Sequence, residues 1–255
     1  MANDIADAAK AILAALNENT MFPEHLSRRL SLDEGYAVQF ELLKRRKAQG
    51  DVHVGWKVGL TSRAMQLQQG VHEPCLGHLV EAGHVFSPTV FRFDDLMAPG
   101  FENELCIRLG APLDGDATAQ STRSAIDAIA PAIEVVEKRG VFNADLPLAF
   151  AGNAQQRAFV TGEFVPLADE LDPAAVEVEV FVNGRSQECA TGVEVLGSPI
   201  NSVVWLARKL ATFGHSLHPG DLIMSGSFTR QYGIARHERI RADFSCLGVV
   251  EIEVL

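Results

Sequence analysis

What the sequence lacks removes several classes of function at once. Lys and Arg number 22 against 33 Asp and Glu, a formal net charge of -11 at pH 7. Phosphate recognition needs a basic face, so a nucleic-acid partner is excluded. The one basic run, Lys44-Arg45-Arg46-Lys47, closes a predicted helix, where cations complement the negative end of the helix dipole. No apolar run approaches the ~20 residues needed to cross a bilayer, which sets membrane roles aside. The opening Met1-Ala-Asn-Asp4 puts no cationic stretch ahead of an apolar one, so no signal peptide is expected. Only four cysteines occur, Cys75, Cys106, Cys189 and Cys246, with no CxxC pair. Cys106 and Cys246 sit in apolar, strand-like surroundings and are expected to be small core residues. The expected compartment is the reducing cytoplasm. Catalytic loops are missing too. There is no GxxxxGK phosphate loop, and Gly226-Ser-Phe-Thr229 is not one. No Gly-x-Ser-x-Gly elbow supports serine-hydrolase chemistry. His72, His78 and His84 cluster, but their spacing matches no familiar zinc pattern, and solvated or capping histidines are expected.

What is present suits a globular enzyme. The 255 residues are 47% hydrophobic and 22% charged, enough for one large domain or two small ones. Apolar residues at helical spacing predict a helix over 5–17. Ser31-Leu-Asp-Glu34 has the form of a capping box and opens a second helix running to about Ala48. From there short runs of Val, Ile, Leu and Phe dominate, with strands predicted at 54–60, 101–109, 131–136, 176–183, 221–226 and 247–255. Asn183-Gly184 after an alternating run signals a type I′ hairpin. Further helices are predicted over 121–130 and 200–213. Strands do not alternate with long helices, so a doubly wound parallel sheet fits poorly. The reading is α+β: a helical N-terminal segment, 1–51, followed by a mixed, mostly β body, 52–255.

The informative segment is Phe101-Glu102-Asn103-Glu104-Leu105-Cys106-Ile107. On a strand, Glu102 and Glu104 point to one face, roughly 7 Å apart. Like charges there repel, so either the face is fully wet or a cation sits between them. Glu134 interrupts the apolar run Pro131-Ala-Ile-Glu134-Val-Val-Glu137 and should not be buried unpaired. Three converging carboxylates make a hard, all-oxygen site suited to Mg²⁺ or Mn²⁺. Taken alone, an ExE pair is more often structural. Glu177 and Glu179 form another, read as a solvated outer face beside the hairpin turn.

Several motifs accompany the three glutamates in order. They are Gly55-Trp-Lys57-Val-Gly-Leu-Thr-Ser62, Ala132-Ile-Glu134-Val-Val-Glu-Lys-Arg139 and Ser225-Gly-Ser-Phe-Thr-Arg230, with Tyr36-Ala-Val-Gln39 upstream. Together they resemble the hydratase/decarboxylase branch of the fumarylacetoacetate hydrolase superfamily over nearly the whole chain. The resemblance implies a mixed β-sandwich or roll with flanking helices, usually a homo-oligomer. It implies that Glu102, Glu104 and Glu134 bind a divalent metal, usually magnesium or manganese, and that Lys57 lies at the substrate. The Gly-Ser-Phe-Thr turn would line the pocket, making Ser227, Phe228 and Thr229 substrate-binding candidates, with Asn153 beside them. Two positions depart from the pattern. Where close hydratases often carry Glu-Pro-Asp, this chain has Glu73-Pro-Cys75, and where they often carry Asp-Asn-Ala it has Gly152-Asn153-Ala154. Both remove a carboxylate.

The expected substrate is a small 2-oxo acid, which can chelate a metal through its carboxylate and 2-oxo oxygen. The leading expectation is a hydratase that adds water to a 2-hydroxy-2,4-dienoate in its 2-oxo-3-enoate form, in the breakdown of aromatic compounds. A 2-oxo-3-enedioate decarboxylase and a C–C bond hydrolase use the same electron sink and stay open. So does an inactive relative that binds a 2-oxo acid as a sensor. Lys57 would hold the substrate carboxylate or shuttle a proton, against the alternative of a surface lysine at a strand end. Glu73 is the remaining carboxylate that could activate water. Ser227 and Thr229 would hydrogen-bond substrate oxygens, or simply form a polar turn.

Overall fold

The computed structural model describes residues 2–140 and 144–255. Its N-terminal helices are α1 (Ala2–Asn17) and α2 (Leu32–Ala48). Ser31 caps α2 as expected: its hydroxyl accepts from Glu34 N–H, and the Glu34 carboxylate accepts from Ser31 N–H at 2.8 Å. Glu41 pairs with Lys44 and Arg45 in the last turns. α1 and α2 bury Ala9, Ile12, Val38 and Leu42 against Leu148 and Ala151 of a short helix further along the chain, Leu146–Ala151. Gly35 permits this approach, because a Cβ there would lie 2.5 Å from the Pro147 carbonyl oxygen. Gln39 Nε2, fully buried, donates to Leu76 O at 3.0 Å and Phe150 O at 2.8 Å, fastening the helices to the body.

The strands are β1 (His53–Gly59), β2 (Cys75–Val80), β3 (His84–Phe86), β4 (Thr89–Phe91), β5 (Pro99–Leu109), β6 (Ile126–Glu137) and β7 (Gln156–Thr161). They continue with β8 (Val165–Pro166), β9 (Glu177–Val182), β10 (Arg185–Thr191), β11 (Leu222–Met224), β12 (Tyr232–Gly233), β13 (Arg239–Phe244) and β14 (Gly248–Val254). Between them lie α3 (Arg63–Gln69), α4 (Ala119–Ala125), α5 (Leu146–Ala151) and α6 (Pro199–Thr212). One mixed sheet runs β2-β1-β11-β5-β6-β7-β3, with β12 on β5 and β8 on β6; a second runs β10-β9-β13-β14-β4. The odd positions of β5, Phe101, Leu105 and Ile107, join Val180, Ile240 and Ile252 of the second sheet in the main core. The other face of the first sheet gathers Leu79, Cys106, Ala132, Phe159, Leu222 and Met224. Asn153 closes this curl by bonding both His78 N–H (2.7 Å) and His78 O (2.9 Å), so β2 is tied to the chain entering β7.

This is the expected α+β roll with flanking helices. Asn183 (φ 51) and Gly184 (φ 74) both take the left-handed conformation required at the β9–β10 turn. Helix over 121–130 is corrected: α4 stops at Ala125 and β6 begins at Ile126. Ala-rich sequence favours helix, but pairing of Ile129 with Ile107 and Ala130 with Cys106 overrides local preference. Cys106 is buried as expected; Cys246 is exposed, because it falls on the turn between β13 and β14. His78 is neither solvated nor a cap. It is buried in β2 opposite Trp56, with both ring nitrogens unpartnered among the described residues and its pKa driven well below the usual value by burial.

Candidate functional site

The register of β5 and β6 builds the site. Glu102 is directly opposite Glu134, and Glu104 is opposite Ala132, so the three glutamates share one face as direct and diagonal neighbours. One carboxylate oxygen from each lies within 4.8 Å of the others. Cys106 of β5 is opposite Met224 of β11, which is opposite Lys57 of β1, so the lysine comes to the same face two strands away. Its Nζ stands 3.5 Å from Glu134 Oε1. Gly226 N–H donates to Glu104 Oε2 at 2.8 Å. Gly226 has φ 103, and a Cβ would strike the Thr61 side chain at 2.3 Å, so only glycine brings this amide to the carboxylate.

Burial sets the electrostatics. Glu104 and Glu134 are fully buried and Glu102 half-buried. Burial pushes the Glu134 carboxyl up to about 7, against the attraction of Lys57. Glu104 is raised well above the carboxylate range by burial and then by its two acidic neighbours, and burial also raises Glu102. Burial works to lower the Lys57 pKa; the carboxylates, Glu134 foremost, outweigh it and hold the lysine above its usual value. Among the described residues Glu104 Oε1 and Glu134 Oε2 have no hydrogen-bond donor, and Glu134 Oε1 has only the Lys57 ammonium 3.5 Å away. Buried anionic oxygens are costly in that state. A hard divalent cation bound among them would satisfy all three residues, and an all-carboxylate donor set suits magnesium or manganese. The residues fit the metal.

Above these groups opens a cavity of about 570 Å³ whose walls include Lys57, Thr61, Cys75, Glu102, Gln155, Ser227 and Thr229. Ser227 Oγ is buried without a partner among the described residues, and Thr229 Oγ1 accepts from Asn103 Nδ2 at 2.8 Å. Three expected residues are placed elsewhere. Phe228, only 2% exposed, turns away between its two neighbours and packs edge-on against Phe244 at 5.8 Å. Asn153 does not line the cavity; its amide is used up in holding β2. Glu73 precedes β2, half-exposed, and Lys209 of α6 takes its carboxylate at 2.7 Å. Cys75 faces the cavity instead, its thiol pushed up to about 11 by burial.

Sequence reasoning missed Lys138, Arg230 and Gln155 as wall residues. Two of them stand inside motifs already quoted, Lys138 at the end of the Glu134 strand and Arg230 closing the serine-threonine turn, but were given no role. Gln155 ends a run of three non-glycine residues with positive φ, Asn153 to Gln155, which carries no sequence signal.

Known proteins resemble this chain in sequence and in fold. A profile of the fumarylacetoacetate (FAA) hydrolase C-terminal family matches residues 61–255. The chain is 31% identical over 223 residues to a 4-oxalocrotonate decarboxylase of Pseudomonas putida, covering 87% of this chain and 84% of that protein. It is 31% identical over 226 residues to a 2-keto-4-pentenoate hydratase of Paraburkholderia xenovorans strain LB400, covering 88% and 84%. The structure of 4-oxalocrotonate decarboxylase from Pseudomonas putida G7, complexed with magnesium and adipate, superposes with a TM-score of 0.95. That match has 30% identity and spans 100% of this chain and 98% of the other.

Proposed function

The chain belongs to the fumarylacetoacetate hydrolase family, and from that premise we propose that it is a divalent-metal-dependent lyase of small 2-oxo acids. Its reaction in this reading is addition of water to a 2-hydroxy-2,4-dienoate, taken as the 2-oxo-3-enoate, in aromatic-compound breakdown. The observation that carries the reading is the trio Glu102, Glu104 and Glu134, whose carboxylates meet within 4.8 Å beside an open cavity, Glu104 and Glu134 fully buried. These three would hold Mg²⁺ or Mn²⁺. Bound there, the ion would supply Lewis acidity to a chelated 2-oxo carboxylate.

The chain's own groups do the rest. Lys57, kept protonated by the carboxylates, is placed to hold the substrate's carboxylate and to give a proton to carbon. Ser227 Oγ, buried with no partner among the described residues, is free to hydrogen-bond a substrate oxygen, and Thr229 stands beside it. Leu60, Met65 and Val136 supply an apolar wall that excludes water from the carbon chain. Every described residue lining the cavity lies at position 57 or beyond, which supports a division into a helical segment, 1–51, and a catalytic body, 52–255. A cytoplasmic homo-oligomer is part of the same proposal; no helix among the described residues is long and apolar enough to cross a membrane.

One observation favours decarboxylation of a 2-oxo-3-enedioate as a second reading. With Glu73 captured by Lys209 and the Cys75 thiol held protonated, Glu102 is the one carboxylate among the described lining residues, and no histidine joins it. Water addition wants a base; loss of CO₂ needs only the electron sink and a proton donor. Supplying 2-hydroxypenta-2,4-dienoate and 4-oxalocrotonate separately, with Mg²⁺ or Mn²⁺, separates the two. A 4-hydroxy-2-oxo acid marks hydration, CO₂ marks decarboxylation, and either one rules out an inactive binding relative. Neither product forming would defeat both readings.

A further inference from the structure

We infer that Gln231 is a further substrate-binding residue, whose carboxamide donates a hydrogen bond to a neutral oxygen on the ligand's carbon chain, the hydroxyl that water addition places at C4. The inference rests on the 2-oxo-acid reading of the same cavity and deepens it. Among the residues lining the cavity, Ser227 Oγ and Gln231 Nε2 are withdrawn from solvent with no hydrogen-bond partner among the described residues. An amide N–H in that state is costly, and a ligand oxygen that accepted from it would remove the cost.

Backbone register puts Gln231 beside the glutamates. β12 pairs with β5 through Tyr232 opposite Phe101 and Gly233 opposite Gly100. One step back along that antiparallel register brings Gln231 abreast of Glu102, on the flank of β5 away from β6 and its Glu134. Gly100 lies two residues from Glu102 on the same face of β5, roughly 7 Å along the strand. Its missing side chain makes the room: a Cβ there would stand 3.0 Å from Gln231 Nε2 and 3.3 Å from Val136 Cγ2. The carboxamide is thus laid over Gly100 beside Val136, an apolar residue of the cavity wall. A 2-oxo acid anchored by its carboxylate end at the glutamates would run its carbon chain along this stretch. The last side-chain bond of a glutamine turns with little resistance, so the NH2 can follow an oxygen that arrives on that chain. In water addition the oxygen joins C4 and a proton joins C3. The carboxamide gives up no proton; it fixes where the oxygen stands, both in the incoming water and in the product hydroxyl. A neutral donor beside an apolar side chain suits such an oxygen.

Calorimetry on the Mg²⁺-loaded protein tests this with two acids that differ by one oxygen, racemic 4-hydroxy-2-oxopentanoate and 2-oxopentanoate. The wild type is expected to bind the hydroxy acid about tenfold more tightly, the scale of a hydrogen bond made by a donor otherwise left unsatisfied. Gln231→Met, close in shape but without the amide, is expected to erase that preference and leave 2-oxopentanoate binding as it was. Gln231→Glu removes the NH2 and keeps the side-chain length; it is expected to lose the preference too, and it decides the matter if the Met variant does not fold. A wild type that binds both acids equally, or a preference that survives in the folded variants, overturns the inference. Turnover is read separately: kcat/KM for hydration of 2-hydroxypenta-2,4-dienoate is expected to fall about tenfold in Gln231→Met, and an unchanged value counts against the role. If the wild type does not hydrate the dienoate, the hydratase reading fails, and a hydroxyl preference lost in Gln231→Met still supports the binding role. If neither acid binds, the 2-oxo-acid reading fails and the inference falls with it.

Discussion

Lys57 Nζ lies 3.5 Å from Glu134 Oε1 with both side chains almost wholly withdrawn from water, 4% and 0% exposed. One cation thus faces a cluster of three carboxylates, and the excess negative charge is the electrostatic signature of the site. Both stability and activity are therefore expected to depend on a divalent ion.

Replacing Glu134 or Glu102 with Gln removes a metal ligand and part of the repulsion together. Magnesium-dependent activity should fall at least about 100-fold, the scale of losing one contact made in the transition state. The thermal midpoint in EDTA should stay level or rise, because a buried charge is gone. Activity assays across a Mg²⁺ titration and calorimetry check both parts; unchanged metal dependence in both variants would refute the ligand assignment.

Lys57→Met leaves the carboxylates without their counter-charge. Breaking a buried ion pair by removing one partner costs on the order of 3 kcal/mol, and this loss should appear in urea unfolding at pH 8 in EDTA. Added Mg²⁺ should recover much of the stability but not the turnover. A variant that keeps wild-type kcat would show that the lysine has no part in the chemistry.

The metal-free protein should weaken as pH rises from 4.5 toward 7. Glu134 has a folded-state pKa of about 7 against an ordinary 4.5. The folded state therefore binds the proton more tightly than the unfolded state, and stability is lost as that proton leaves. At roughly 1.4 kcal/mol per pH unit the loss is on the order of 3 kcal/mol. Scanning calorimetry in EDTA between pH 4.5 and 8 reads the slope, and Mg²⁺ should flatten it. A thermal midpoint that climbs through this window contradicts the assignment.

Gly35→Ala tests the helical layer apart from the site. Its Cβ would meet the Pro147 carbonyl oxygen at 2.5 Å, so the two helices must part. A stability loss of about 1–3 kcal/mol is expected, read as a lower urea midpoint, while the affinity for Mg²⁺ should change little.

Local pattern carried much of this structure. Glu102 and Glu104, two residues apart on a strand, must share a face, and Ser31 with Glu34 must cap a helix, because both relations lie within a few residues of backbone geometry. Asn183-Gly184 made its turn for the same reason. The resemblance brought Glu134 and Lys57 into the argument, but their meeting depends on which strand lies beside which, a matter of long-range pairing. Residues in turns were read least well. Glu73 was drawn out by Lys209 from a helix 136 positions along the chain, and Asn153 spent its amide on His78. Phe228 followed the core while Ser227 and Thr229 followed the cavity. Strand periodicity tells a side chain which way to point, but what waits there is chosen when distant segments pack.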